Sequence, residues 1–243
     1  MFELGPLHFN MYGLMFALGF FIATLLAVRE ANKKGIQKDV IENLVLSILI
    51  GSIIGARLFY VLFYWPTTMP LTFWDIFKIW EGGLAFFGGF IGALIAGFIY
   101  IRKHKLDFWK FADILTLPLV VGHILGRLGD YFTGGHPGKV ADLPWAIYLD
   151  GALRHPVVLY EIIGLVIIGT LLYSLRKTQK FDGFLFLAYM QLYSAQRFIL
   201  DFFRIASTDP RFLGLTPTQY LVIVLFIIAA ITMSLLKRIE KKL

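Results

Sequence analysis

The 243-residue chain has no cysteine. A disulfide, a thiolate metal site and a cysteine nucleophile are therefore excluded within it, and any thiol chemistry must take its thiol from another molecule. Charge is the second scarcity. Only 16% of residues are Asp, Glu, Lys or Arg, against roughly 25% in a soluble domain. Apolar residues make up 58% and the mean hydropathy is +0.73, so polar side chains cannot cover a soluble surface. Disorder, a collagen-like repeat and a disulfide scaffold are excluded by the same numbers. Internal repeats and low-complexity segments are lacking, which removes the common signature of secondary transporters. The histidines have no metal-site spacing, so neither metal nor cofactor is expected.

What is there is apolar run length. Seven stretches approach the roughly 20 apolar residues that cross a bilayer: Met11–Val28, Leu44–Phe63, Leu84–Ile101, Ile114–Leu125, Val157–Leu175, Phe184–Phe203 and Tyr220–Leu236. The fourth is short and starts only after Asp113, so it is expected to tilt or to run into the polar segment behind it. The first is read as a span rather than a cleaved signal, because its basic residues follow the apolar run and no small-residue cleavage site ends it. Basic residues cluster after the odd-numbered windows: Arg29, Lys33, Lys34 and Lys38; Arg102, Lys103, Lys105 and Lys110; Arg176, Lys177 and Lys180; Lys237, Arg238, Lys241 and Lys242. The net charge of +7 is thus a topological signal, and no nucleic-acid partner is expected. The positive-inside rule puts the N-terminus outside and the C-terminus in the cytoplasm. The expected architecture is one all-α integral membrane domain over 1–243 with seven transmembrane helices.

Two outward loops carry turn and interface residues. Tyr64–Ile79 holds Pro66, Pro70, Trp65 and Trp74, with Trp80 just beyond, a density that suits the headgroup level. Residues 129–156 form the largest polar stretch and are expected to build a small external head. Thr133–Gly138 is a strong turn signal, Trp145–Leu149 reads as a short strand, and Asp150-Gly151 reads as a turn.

Arg57, Arg127 and Arg197 lie inside or at the edge of apolar spans. A lone arginine at a helix centre costs roughly 2.5–3.5 kcal/mol on insertion scales, so each requires a polar interior and a partner. Arg197 and Asp201 are four apart, Arg127 and Asp130 three apart, and both spacings share a helix face; Arg204 is a further three on along the face of Asp201. One reading is a pair of ion pairs tying helices together. The other is a polar pocket near the outer ends of spans four and six. Two guanidinium forks match phosphate oxygens, and the natural anion at that depth is a phospholipid headgroup. Gly51, Gly55 and Ala56, and Gly82, Gly83, Gly88, Gly89 and Gly92, read first as close helix approach. Glu161, just inside the fifth span, needs a partner. His155 precedes Pro156 and sits at a boundary. His123, inside the fourth span, is read as a bridge to a neighbouring helix, His136 lies in a glycine-rich loop, and His8 and His104 are peripheral.

At these residues the chain resembles the prolipoprotein diacylglyceryl transferases of bacteria. The resemblance runs over nearly the whole length, through Met11-Tyr12-Gly13-Leu14-Met15, Gly55-Ala56-Arg57-Leu58, Gly126-Arg127-Leu128-Gly129-Asp130, His155-Pro156 with Leu159-Tyr160-Glu161, and Arg197-Phe198-Ile199 with Phe202-Phe203-Arg204. It implies transfer of a diacylglyceryl group from phosphatidylglycerol to the lipobox cysteine thiol of a preprolipoprotein signal peptide, in the bacterial inner membrane with the site toward the outer leaflet. It implies catalytic roles for Arg127, Arg197, Asp130, Tyr12 and His155, and lipid contacts by Arg127, Arg197, Asp201, Arg204, Glu161 and Gly138. The chain departs from the pattern at Phe87, where the family carries histidine, at Asp130 in place of Asn, and at Gly135 and Asp201 in place of Glu. Asp130 is the expected replacement base, with His136 and His155 in reserve. The alternatives are a paralogue using another acceptor and a non-catalytic lipid- or lipoprotein-binding membrane protein.

Overall fold

The computed structural model describes residues 2–4, 7–9, 11–63, 65, 72–78, 83–205 and 211–240. Pro66, Pro70, Trp80, Gly82 and Asp209 lie outside them, as do the side chains of His8 and Phe87. Among these residues seven α-helices correspond to the seven apolar windows: α1 Met11–Lys33, α2 Lys38–Phe63, α3 Phe86–Lys103, α4 Phe108–Phe132, α5 Val157–Leu175, α6 Phe184–Leu200 and α7 Pro217–Glu240. Among the described residues α1, α2, α4, α5 and α7 are long and apolar enough to cross a membrane. Several helices outrun their windows because an apolar run marks only the lipid-compatible part of a helix. Lys33, Arg102, Lys103, Lys237 and Arg238 occupy last turns, where cations meet the negative end of the helix dipole.

Two short antiparallel hairpins accompany the helices: β1 Phe2–Leu4 with β2 Leu7–Phe9, and β3 Ile147–Leu149 with β4 Ala152–Arg154. The second is the expected strand, two residues shorter, and Asp150-Gly151 is its turn. Both turn residues have positive φ, 49° and 76°, the mirror-image turn that matches strand twist.

The chain divides into two compact units, Val28–Phe111 and the combination of Met1–Ala27 with Ala112–Leu243. In the smaller unit α2 and α3 meet along glycine. A Cβ on Gly51 would stand 2.7 Å from the Gly92 carbonyl oxygen, and one on Gly55 2.9 Å from the Gly92 Cα. Backbone contact through small residues four apart is what packs helices in lipid, and it accounts for the glycine pattern. Arg57, on α2, has no i+3 or i+4 carboxylate. It is buried and donates to three carbonyls: Ile76 from Nε at 3.0 Å, Gly83 from Nη1 at 3.1 Å and Asp75 from Nη2 at 2.5 Å. The guanidinium thus ties Asp75, Ile76 and Gly83 to α2. Lys78, then Thr72, hold the Asp75 carboxyl well below the usual carboxylate range through hydrogen bonds.

In the larger unit α4 starts well before the expected fourth window. Asp113, just before the expected start of that window, is buried within the helix and caps another one. Its Oδ2 accepts the Gly183 N–H at 2.7 Å and Gln179 Nε2 at 2.6 Å, and its Oδ1 accepts the Phe186 N–H at 2.9 Å. Those N–H groups open α6, so the carboxylate satisfies orphan donors and complements the positive helix end. The apolar core joins α4, α5 and α6 through Val120, Leu165, Ile168, Leu172, Leu185 and Tyr189. α6 is shorter than its window: it ends at Leu200, and a 3-10 turn over Asp201–Phe203 follows. Arg204 is consequently off the α6 face on which its spacing had placed it. It is extended, and it bridges to Gly138.

Candidate active site

The larger unit gathers its buried charge in one place. Glu161, on the second turn of α5 and 1% exposed, forms ion pairs with both Arg127 and Arg197. Its Oε1 lies 2.5 Å from Arg197 Nη1 and its Oε2 3.0 Å from Arg127 Nε. Each arginine has a second carboxylate on its own helix or just past it: Arg127 Nη1 to Asp130 Oδ2 at 2.7 Å, and Arg197 Nη2 to Asp201 Oδ1 at 2.9 Å. The i+3 and i+4 pairs are therefore formed, and Glu161 joins them across three helices. Charges removed from water require this kind of pairing, because desolvation alone costs several kcal/mol per ion.

A further layer fixes the group. Tyr193, on α6, packs its ring 4.9 Å from the His123 ring and 5.9 Å from the Tyr189 ring. Asp201 Oδ2 accepts the Thr216 hydroxyl at 2.9 Å. Thr216 is also the N-cap of α7: Gln219 N–H donates to Thr216 Oγ1 at 3.1 Å, and Thr216 N–H to Gln219 Oε1 at 2.9 Å. This is a capping box with proline at N1, and it ties the start of α7 to the charge group. The Gln196 amide donates to the Glu161 carbonyl at 2.9 Å, where Gly164 leaves the space that a Cβ would fill. The spacing of single residues gave no signal for Tyr193 or Gln196; the Thr-Pro-Thr-Gln run at Thr216–Gln219 was a readable capping signal.

At the rim Arg204 donates from Nη2 to His136 Nδ1 at 2.9 Å. An arginine always donates, so Nδ1 holds its lone pair toward Arg204 and the neutral ring carries its proton on Nε2. That Nε2 lies 3.8 Å from Asp130 Oδ1. Partial burial, then the Arg204 charge, pulls the imidazole below its ordinary pKa. The neutral ring is the one that fits the fold. Its stabilising contribution is therefore complete above the unfolded-state pKa and is lost as pH falls through the lower folded-state value. His136→Ala is expected to flatten the acid limb of a melting-temperature-against-pH curve while leaving the neutral region little changed.

The remaining expected residues are placed as follows. Tyr12 packs on the glycine of the arginine motif, its Cα 3.3 Å from where a Gly129 Cβ would stand. The His155 ring lies 5.0 Å from that of Phe203, with Nδ1 3.4 Å from the Tyr160 hydroxyl, which accepts the Trp145 indole N–H at 2.8 Å. Gly138 is a packing position, since a Cβ there would run into the His155 carbonyl and reach 2.9 Å from a Val157 methyl. His123 meets Tyr189 of α6 at 3.1 Å, as a bridging histidine would.

Comparison with known proteins adds an independent observation. A phosphatidylglycerol–prolipoprotein diacylglyceryl transferase of Aliarcobacter butzleri is 40% identical over 149 residues, covering 58% of this chain and 54% of that protein. One from Campylobacter lari is 32% identical over 189 residues, 74% of this chain and 69% of its own length. One from Wolinella succinogenes is 34% identical over 139 residues, 54% of this chain and 51% of its length. The chain thus spans about half the length of the first of these relatives. The model of the prolipoprotein diacylglyceryl transferases matches residues 1–235, and the chain belongs to that family.

Proposed function

We propose that the protein transfers the diacylglyceryl group of phosphatidylglycerol to the thiol of a lipobox cysteine on bacterial preprolipoproteins. The observation that carries this reading is the convergence of Arg127 and Arg197 on the single buried carboxylate of Glu161. Held by carboxylates, the two guanidiniums keep further N–H donors for a phosphate. In the reaction the bond between the glyceryl carbon and the phosphate oxygen breaks, and the substrate sulfur bonds that carbon. Glycerol phosphate leaves with the electron pair. The phosphodiester bears one negative charge and the departing monoester gains another, so fixed cations favour the transition state over bound lipid.

The thiol must lose its proton, since the thiolate is the nucleophile. With His136 Nδ1 occupied by Arg204 and its proton on Nε2, the ring has no free lone pair, and Asp130 is the base this reading selects. A lipobox peptide with cysteine should accept labelled diacylglycerol from phosphatidylglycerol, and the same peptide with serine should not. Equal labelling of both peptides would overturn the reading.

The reading extends to seven spans in the inner membrane, with the N-terminus outside, the C-terminus in the cytoplasm and the charge group toward the outer leaflet. Its support is the placement of 15 of the 23 basic residues behind odd-numbered spans. Reporter fusions at Lys34, Lys105 and Lys180 are expected to report cytoplasm, and fusions at Pro70, Gly151 and Asp209 the outside. Reversal at two or more positions would refute the topology.

A further inference from the structure

Two tight turns in the larger unit are built alike but filled differently. Asp150 and Gly151 join β3 to β4 with φ of 49° and 76°. Leu213 and Gly214 join Phe212 to Leu215 with φ of 48° and 84°. The Phe212 N–H donates to the Leu215 carbonyl at 2.8 Å, and the Leu215 N–H to the Phe212 carbonyl at 3.1 Å. Positive φ at both central positions selects Asn, Asp or Gly at the first, because other side chains are strained in left-handed backbone. Asp150 obeys that preference. Leu213 does not: it is a bulky apolar residue in a left-handed conformation, 85% exposed, with Phe212 beside it 70% exposed. Among the described residues, neither Phe212 nor Leu213 is packed into a core that would offset that strain.

The turn stands against α7. The Tyr220 hydroxyl donates to the Phe212 carbonyl at 2.8 Å, and Tyr220 is the fourth residue of that helix. α7 is long and apolar enough to cross a membrane, and its exposed residues include Leu221, Val224 and Ile228. Through Tyr220 the Phe212–Leu213 tip is tied to the first turn of a helix long and apolar enough to span a membrane, at the level where acyl chains would give way to headgroups. The segment is also held at both ends on one residue: Arg211 donates to the Asp201 carbonyl at 3.3 Å, and Thr216 to the Asp201 carboxylate.

We propose that Phe212 and Leu213 form a lipid-contacting wedge seated at the headgroup–acyl boundary. Burial of two apolar side chains in the bilayer repays the strained backbone. The wedge ties the bilayer surface to Asp201, the partner of Arg197. The inference rests on the membrane reading of α7 and is independent of whether the chain is catalytic.

The absence of cysteine makes the test direct. Leu213→Cys and Asp150→Cys place a spin label at matched left-handed turn positions in the full chain, reconstituted in vesicles of phosphatidylglycerol and phosphatidylcholine. Phe212→Cys supplies a second site should the label disturb the turn. Collision with oxygen is expected to exceed collision with a water-soluble nickel chelate several-fold at 213 and 212, with the reverse at 150. Nickel access at both 212 and 213 equal to that at 150 would overturn the proposal. So would tip labels that are nickel-accessible in vesicles and become shielded only when a lipobox peptide is added, since the surface would then belong to the acceptor.

Discussion

Arg197→Lys is expected to lower the turnover rate for diacylglyceryl transfer by about 10²–10³-fold, the range seen when one preorganised donor to a developing anion is removed. The substitution keeps the positive charge and takes away the fork. Arginine hydrogen-bonds Glu161 from one Nη and forms an ion pair with Asp201 from the other, and a single ammonium cannot hold both in fixed geometry while facing a phosphate. Because the lost contact strengthens as the leaving group gains charge, kcat should fall more than KM rises. Stability separates this role from a structural one. Glu161→Ala leaves two buried guanidiniums without their shared partner, a defect worth about 3–5 kcal/mol, and it should impair folding. Arg197→Lys should yield folded protein with a smaller loss. A lysine variant at full activity would show that the cluster is only a helix tie.

The second large effect is expected at Asp130. If its carboxylate takes the thiol proton, Asp130→Asn should slow transfer by about 10²–10⁴-fold, the usual contribution of a positioned base, with lipid binding retained or improved. The improvement follows from charge. Arg127 and Arg197 face Glu161, Asp130 and Asp201, and Arg204 stands against His136 at the rim, so three cations balance three carboxylates and removing one carboxylate leaves a net cation next to the phosphate. His136→Ala and His155→Ala should be milder, since His136 gives its lone pair to Arg204 and His155 meets Tyr160 and Phe203. Full activity in all three variants would assign proton removal to solvent or substrate. An inactive unmodified chain rescued by Phe87→His would mark a decayed transferase.

The helices were readable because each coincides with a long apolar run, and α5 has the bounds of its window. The two short-range ion pairs were readable because helical spacing fixes which side chains share a face. Neighbours across helices follow a different logic. Glu161 lies 34 residues from Arg127 and 36 from Arg197 in sequence, and no periodicity says which helix turns toward which. Arg204 misled because its face assignment assumed a helix through Phe203, whereas α6 gives way to a 3-10 turn at Asp201. Asp113 and Arg57 share a lesson. Asp113 marks the start of the fourth window and Arg57 needs a partner whose identity no spacing shows; in the structure each satisfies backbone groups, the N–H groups opening α6 and the carbonyls of Asp75, Ile76 and Gly83.

The most direct measurement is the stoichiometry of the reaction in phosphatidylglycerol vesicles. Glycerol phosphate release and thioether formation on a lipobox peptide would be followed together, for the unmodified chain and for Arg197→Lys. The account predicts one glycerol phosphate released for each peptide modified, no release without peptide, and both signals falling together in the lysine variant. Release that proceeds without an acceptor thiol, or peptide modification that is indifferent to Arg197, would contradict it.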